Sequence, residues 1–94
     1  MHAHHIVQSL DPGSAAARDL LDKYQIDINV AANGVDLTRS QHYIKGLHSD
    51  ATMKRVTDRL KKAVRGIDDW NKARQEMLDE LDVIRQIIKD GGLP

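Results

Sequence analysis

Two apolar stripes in the second half of the chain constrain its fold more than any other feature of the sequence. The first stripe consists of Met53, Val56, Leu60, Val64 and Ile67. The second stripe consists of Trp70, Ala73, Met77, Leu81, Ile84 and Ile88. Steps of three and four residues place side chains on one face of an α-helix, so each stripe predicts an amphipathic helix. The second helix can pack on its own domain or on another chain, and we expect the former.

The spacing of apolar residues changes within the first half of the chain. Ala15 to Tyr24 has a helical pattern, whereas Ile26, Ile28 and Val30 alternate with polar residues, as in a strand. Asn33-Gly34 is a strong signal for a tight turn between two strands. We therefore predict a small hairpin over residues 26–38 with Asn33 at its tip. The predicted fold class is α+β and mostly helical, with a C-terminal helical extension.

The composition limits how the chain is stabilised. Its 94 residues predict one domain, and phenylalanine and cysteine are both absent. The core must therefore be aliphatic, and disulfides are excluded, so a bound metal is one possible source of additional stability. No apolar run is long enough to cross a bilayer. No signal peptide is visible at the start of the chain.

Charge is unevenly distributed although the formal net charge is zero. Residues 39–65 contain eight basic and two acidic side chains, and acidic residues predominate on either side. A basic segment of this kind attracts polyanions. The alternative is that these side chains are only the solvated face of a helix. We expect the apolar stripe, and not these charges, to hold the fold. The candidate phosphate contacts are Lys45, Lys54, Arg55, Arg59 and Lys62.

Five histidines are the candidate chemical groups. His2, His4 and His5 lie near the start, and His42 and His48 lie on either side of a glycine. A chain without thiolates must bind a metal through imidazole and oxygen ligands. Neighbouring side chains on an extended segment point to opposite sides, so one histidine of the His4-His5 pair can bind a metal while the other faces a substrate. The alternative is an artificial or fortuitous N-terminal cluster.

Four short motifs occur in order along the chain. They are Ala3-His4-His5, Ile26-Asp27-Ile28-Asn29, Asn33-Gly34-Val35-Asp36-Leu37 and Gly46-Leu47-His48. Together they resemble the AHH toxin nucleases of the HNH/endonuclease VII group, over about residues 3–64. The family pattern often reads His-x-Gly-x-His, and Ile44 stands where its first histidine would be. The resemblance therefore leaves His42 or water as the third metal ligand.

The resemblance implies a ββα-metal core within residues 1–65 and roles for individual residues. His4 and His48, with His42, would hold one divalent ion, which could be Mg, Mn, Zn or Ni. His5 would be the general base that activates water. Asn33 would hold the histidine-bearing segment through its side-chain amide, although it can also be no more than a turn residue.

The implied activity is metal-dependent hydrolysis of phosphodiester bonds, by a largely non-specific DNase. The resemblance further implies a C-terminal toxin module of a larger secreted or injected protein. Such a module acts in the cytoplasm of the target cell and is neutralised by an immunity protein. The alternatives are an RNase with the same site and a non-catalytic helical module that binds zinc or protein.

Overall fold

A computed structural model describes residues 2–8, 12–30, 33–37 and 49–94. Within these ranges the chain forms two strands and three α-helices: β1 (His2–His5), α1 (Ala15–Lys23), β2 (Gly34–Leu37), α2 (Asp50–Val64) and α3 (Trp70–Lys89). A short 3-10 helix (Pro12–Ser14) leads into α1. The mostly helical α+β class agrees with the sequence prediction.

The two strands pair in a way that the sequence did not predict. β1 and β2 form an antiparallel two-stranded sheet in which His4 lies opposite Val35 and His5 opposite Gly34. The predicted strand over residues 26–30 is absent, and that segment makes turns. The predicted Asn-Gly hairpin over residues 26–38 is therefore wrong.

Backbone geometry explains why Asn33-Gly34 is not a hairpin turn. A type I′ turn needs positive φ at both central residues, and among the described residues only Gln25, Gly66 and Gly91 have positive φ. The alternation of Ile26 and Ile28 instead reflects packing: Ile26 is buried, and Ile28 packs partly buried against the same core. Consecutive turns, not an extended ladder, bring both isoleucines inward.

The helices in the second half agree closely with their sequence pattern. The side chain of Ser49 accepts a hydrogen bond from Thr52 N–H at the start of α2. The side chain of Asp69 does the same for Lys72 N–H at the start of α3. Gly66 has φ of +75°, which allows the chain to turn between the two helices. The two amphipathic helices that the stripes predict are confirmed.

The core lies where α1 and α3 pack on α2, and α3 also lies beside β2. Most members of the two predicted stripes are buried, so packing of the last helix on its own domain is confirmed. Trp70 is an exception, because its side chain is 40% exposed. Its ring lies 6.1 Å from that of Tyr24, and its Nε1 donates to the carbonyl oxygen of Lys23. Trp70 thus connects the start of α3 to the end of α1.

The described helices do not have the features of membrane-spanning segments. Within the described ranges, no helix combines the length and the apolar character that are needed to cross a bilayer.

Candidate active site

Strand β1 places the side chains of His4 and His5 on opposite faces. Paired residues of antiparallel strands share a face, so His4 lies on the same face as the buried Val35. The side chain of His4 is itself buried. His5 lies on the opposite face and is only partly buried. Its partner in the sheet is Gly34, which has no side chain. The extended segment thus presents one histidine to the core and the other to solvent.

Asn33 holds the end of β1 in place. Its backbone oxygen accepts a hydrogen bond from Ile6 N–H at 2.8 Å, which continues the register of the sheet. Its side-chain Oδ1 accepts from Val7 N–H at 2.9 Å, and its Nδ2 donates to the Val7 carbonyl at 3.2 Å. The amide thus satisfies both backbone groups of a fully buried residue.

The same amide of Asn33 reaches a third segment. Its Nδ2 also donates to the carbonyl oxygen of Ile28 at 2.7 Å. One fully buried side chain therefore connects the end of β1, the start of β2 and the turns at residues 26–30. These segments carry His5 and Asn29, whose side chains meet: His5 Nε2 lies 2.9 Å from Asn29 Oδ1.

Gln8 contacts both histidines from the segment that follows β1. Its Nε2 donates to the backbone oxygen of His5 at 2.6 Å and lies 3.4 Å from His4 Nε2. An amide nitrogen can only donate, so this contact is a hydrogen bond when His4 Nε2 is the unprotonated ring nitrogen. An unprotonated imidazole nitrogen is also the form that binds a metal ion. Gln8 is in turn held by Arg18, whose Nη1 donates to the Gln8 carbonyl at 3.0 Å.

The donor set for a metal is incomplete in the described part of the chain. His4 has suitable chemistry, but no group of three or more histidine or carboxylate side chains there could hold an ion. The other two predicted ligands, His42 and His48, lie outside the described residues. The described residues alone therefore do not form a metal site, and the three-histidine site stays a prediction.

The predicted phosphate contacts divide into two groups. Lys54 and Lys62 are exposed, and Lys54 forms only an exposed ion pair with Asp58 at 3.5 Å. Arg59 instead forms an ion pair with Glu80 of α3 at 2.8 Å. Lys45 lies outside the described residues.

Arg55 also has partners within the fold: its Nε donates to the Pro94 carbonyl at 2.7 Å and its Nη2 to Thr52 Oγ1 at 3.0 Å. Arg55 and Arg59 thus contact other parts of the fold, and the small contribution of their charges to stability stays a prediction. Periodicity located α2 but could not show which of its basic residues face other parts of the chain.

A cleft of about 390 Å³ lies between α1 and the turns at residues 26–28. Its charged lining consists of Asp19, Asp22, Asp27 and Arg18. Three carboxylates against one guanidinium disfavour the approach of a polyanion. We therefore expect nucleic acid to reach His5 from another direction.

Asn29 and Gln8 are the site residues that sequence reasoning missed. Asn29 belongs to a motif that had been interpreted as a strand, in which alternate polar residues only face solvent. Asp27-x-Asn29 did contain a usable signal, because an aspartate often bonds the backbone N–H two residues later in a turn. That bond is present, at 2.7 Å. For Gln8, we find no comparable signal in the sequence.

Comparison with known proteins identifies the family. The model of the AHH family, described as a nuclease family of the HNH/ENDO VII superfamily with conserved AHH, matches residues 1–88. The match extends past residue 64, where the resemblance was expected to end, and takes in most of α3. No curated protein and no solved structure shows significant similarity to the chain. The chain belongs to the AHH nuclease family of the HNH/ENDO VII superfamily.

Proposed function

We propose that the chain is a metal-dependent endonuclease that hydrolyses phosphodiester bonds, mainly in DNA and with little sequence preference. Membership of a nuclease family supports the reaction class. The observation that carries the proposal is His5, a partly exposed imidazole next to a buried one, on a strand whose continuation Asn33 holds at three backbone groups, Ile6 N–H, Val7 N–H and the Val7 carbonyl. Such support keeps a reactive side chain in a fixed position.

The proposed roles follow from hydrolysis of a phosphodiester. His5 accepts the proton of the attacking water, because imidazole is the side chain best suited to this role near neutral pH. His4 and His48, with His42, hold a divalent ion of the Mg, Mn, Zn or Ni type. When bound, the ion supplies charge relief at the phosphate and at the leaving oxygen. Asn33 is a positioning residue that holds the segment carrying both histidines.

The substrate backbone is proposed to contact lysines that are not engaged across the helices. Lys54 and Lys62 of α2 are the described candidates, together with Lys45. Contacts of this kind neutralise phosphates and do not read the bases. A nuclease that relies on them cleaves many sequences, which fits a toxin that degrades the DNA of a competitor.

The biological setting is part of the same proposal. Residues 1–94 act as one nuclease domain at the C-terminus of a larger protein that is secreted or injected into target cells. An immunity protein neutralises it in the producing cell. Expression of the wild-type chain alone is expected to arrest bacterial growth, whereas expression of His5→Ala is not. Growth arrest by both chains to the same extent would contradict a nuclease toxin.

The direct test is nicking of a supercoiled plasmid, with and without a chelator. We expect cleavage to stop on chelation and to return when one of the four candidate ions is added. His5→Ala should slow cleavage by about 10²–10⁴-fold, the usual contribution of a general base. His2→Ala is the matched control and should cleave normally. Absence of cleavage with every ion, or near-normal cleavage by His5→Ala, would contradict the proposal. Faster cleavage of structured RNA than of DNA would favour the RNase alternative.

Calorimetric titration with the activating ion tests the proposed ligands separately. His4→Ala and His48→Ala should lose metal affinity together with some thermal stability, since binding to the folded state is linked to folding. His42→Ala should lose part of the affinity, and His5→Ala should keep it. Unchanged affinity in His4→Ala or His48→Ala would show that the ligand assignment is wrong.

A further inference from the structure

The Ile26-Asp27-Ile28-Asn29 motif has no role in the function proposed so far. Its two isoleucines point into the core, where Ile26 is 2% exposed and Ile28 is partly buried. Its two polar residues are exposed. Exposed residues of a turn are usually free to vary, yet Asn29 contacts the side chain of His5. Through that contact the motif can influence the proposed catalytic imidazole.

The contact between Asn29 and His5 determines which ring nitrogen carries the proton. Asn29 Oδ1 lies 2.9 Å from His5 Nε2, and an amide oxygen can only accept a hydrogen bond. His5 Nε2 must therefore donate. In the neutral imidazole the lone pair is then on Nδ1, so Nδ1 is the atom that can accept a proton.

Asn29 is itself held from two sides. Its backbone N–H donates to Asp27 Oδ1 at 2.7 Å, and Val30 N–H donates to the Asp27 backbone oxygen at 2.9 Å. The preceding carbonyl, that of Ile28, accepts a hydrogen bond from Asn33 Nδ2. Asn33 also binds Val7, two residues after His5. The same amide thus fixes both segments whose side chains meet at His5 and Asn29.

An amide suits this position better than a carboxylate would. Both accept a hydrogen bond from the imidazole, and both restrict its rotation. A carboxylate would add a negative charge close to the atom that must approach a phosphodiester, and like charges repel. A neutral acceptor orients the ring without that repulsion.

We propose that Asn29 is a positioning residue for His5, which holds the proton on Nε2 and directs the lone pair of Nδ1 towards the attacking water. The proposal rests on the proposed function, in which His5 is the general base. Catalytic bases are commonly oriented by a third group in this way. Asp27 supports Asn29 and has no direct contact with the reacting atoms.

The first test measures the ring directly, in metal-free protein and without substrate. Long-range proton–nitrogen NMR distinguishes a protonated from an unprotonated ring nitrogen in a neutral imidazole. We expect wild-type His5 to be protonated on Nε2. Asn29→Ala should move both ring nitrogen signals towards the tautomer mixture of a free imidazole. Asn29→Asp retains an acceptor and should keep the wild-type pattern. Identical His5 signals in the wild-type and Asn29→Ala proteins would overturn the proposal.

The second test is a double-mutant cycle on plasmid cleavage. Asn29→Ala should lower kcat by about 10–100-fold, by analogy with removal of the hydrogen-bond partner of a metal-binding imidazole. In the His5→Ala background the same change should have little effect, because Asn29 acts through His5. Asn71→Ala, at an exposed position of α3, is the matched control and should have no effect in either background.

The outcomes separate this proposal from the one on which it rests. No cleavage by the wild type, or normal cleavage by His5→Ala, contradicts the proposed function itself. Normal cleavage by Asn29→Ala alongside an inactive His5→Ala contradicts only the role of Asn29. An equal loss on removing Asn29 in both backgrounds would mean that Asn29 acts on substrate or fold and not through His5.

Discussion

The helices of the second half and the segments around His5 depend on different contacts, although both add side chains to one apolar core. Helices α2 and α3 pack through buried aliphatic side chains, among them Leu60 and Leu81, both 0% exposed. The segments that carry His5 and Asn29 are joined by one buried amide, that of Asn33. Apolar packing is spread over many contacts, whereas a polar connection concentrates its effect in one residue. Truncating a buried side chain of the helices should therefore lower stability alone, whereas changing Asn33 should lower both stability and kcat.

Truncation in the helical half should produce the largest loss of stability. Leu81→Ala removes a fully buried side chain from the interface of α3 with the core. We expect the free energy of unfolding to fall by about 2–5 kcal/mol, measured by urea denaturation. Leu93→Ala is the matched control, because Leu93 is 41% exposed and its truncation should cost less than about 0.5 kcal/mol.

The same variant also tests whether the scaffold can be weakened without altering the site. At a temperature where Leu81→Ala is still folded, its kcat should equal that of the wild type, since none of the hydrogen bonds around His5 is removed. A large fall in kcat in the folded variant would show that the two halves are coupled more tightly than their contacts indicate.

Substitution of Asn33 should lower both stability and kcat. Asn33→Asp preserves shape and the Oδ1 acceptor but replaces a donor with an oxygen that faces the carbonyls of Val7 and Ile28. Leaving buried groups unsatisfied costs about 1–3 kcal/mol each, so we expect a loss of about 2–4 kcal/mol. kcat should fall as well, because the segment bearing His5 is no longer fixed.

Asn71 provides a matched control for the Asn33→Asp variant. Asn71→Asp makes the same chemical change at an exposed position and should leave unfolding and cleavage unaltered. If Asn33→Asp were as stable as the wild type, the amide would not be the connection between the three segments, and the comparison of the two halves would fail.

The contrast also explains what could be predicted from sequence. Helical periodicity is a property of many residues, so the stripes that begin at Met53 and at Trp70 located α2 and α3. The pairing of β1 with β2 joins residues about 30 positions apart, and no local pattern encodes such a partner. Ile26 and Ile28 alternate as in a strand, yet burial of both is achieved by turns.

The extended conformation of the His4-His5 segment was predicted from a short motif, whereas the roles of these residues stay predictions. His4 and His5 do lie on an extended strand. Asn29 was overlooked because its role depends on a contact with a residue 24 positions away. Gln8 was overlooked for a different reason: its donors reach acceptors only three and four residues away, and they meet because the chain bends after β1.

The smallest effects should come from the charges on α2, and they divide its basic residues into two kinds. Arg59 pairs with Glu80 across the helices, but 38% of the Arg59 side chain is exposed, so solvent screens the pair. Arg59→Gln should therefore lower the free energy of unfolding by only about 0.2–1 kcal/mol. Lys62 is exposed, and Lys62→Gln should leave stability unchanged.

Loss of binding to random duplex DNA should be larger for Lys62→Gln than for Arg59→Gln, the reverse of their effects on stability. Fluorescence anisotropy across a salt series, with His5→Ala to prevent cleavage, measures the number of phosphates neutralised. Removing one contact reduces the slope of log K against log salt by about 0.9. We expect this change for Lys62→Gln and for Lys54→Gln, and a smaller one for Arg59→Gln, whose guanidinium is engaged with Glu80. Lys72→Gln, an exposed lysine on α3, is the matched control and should leave the slope unaltered. Equal slopes for Lys54→Gln, Lys62→Gln and Lys72→Gln would show that the basic face of α2 is only solvated, and that the substrate backbone contacts other residues.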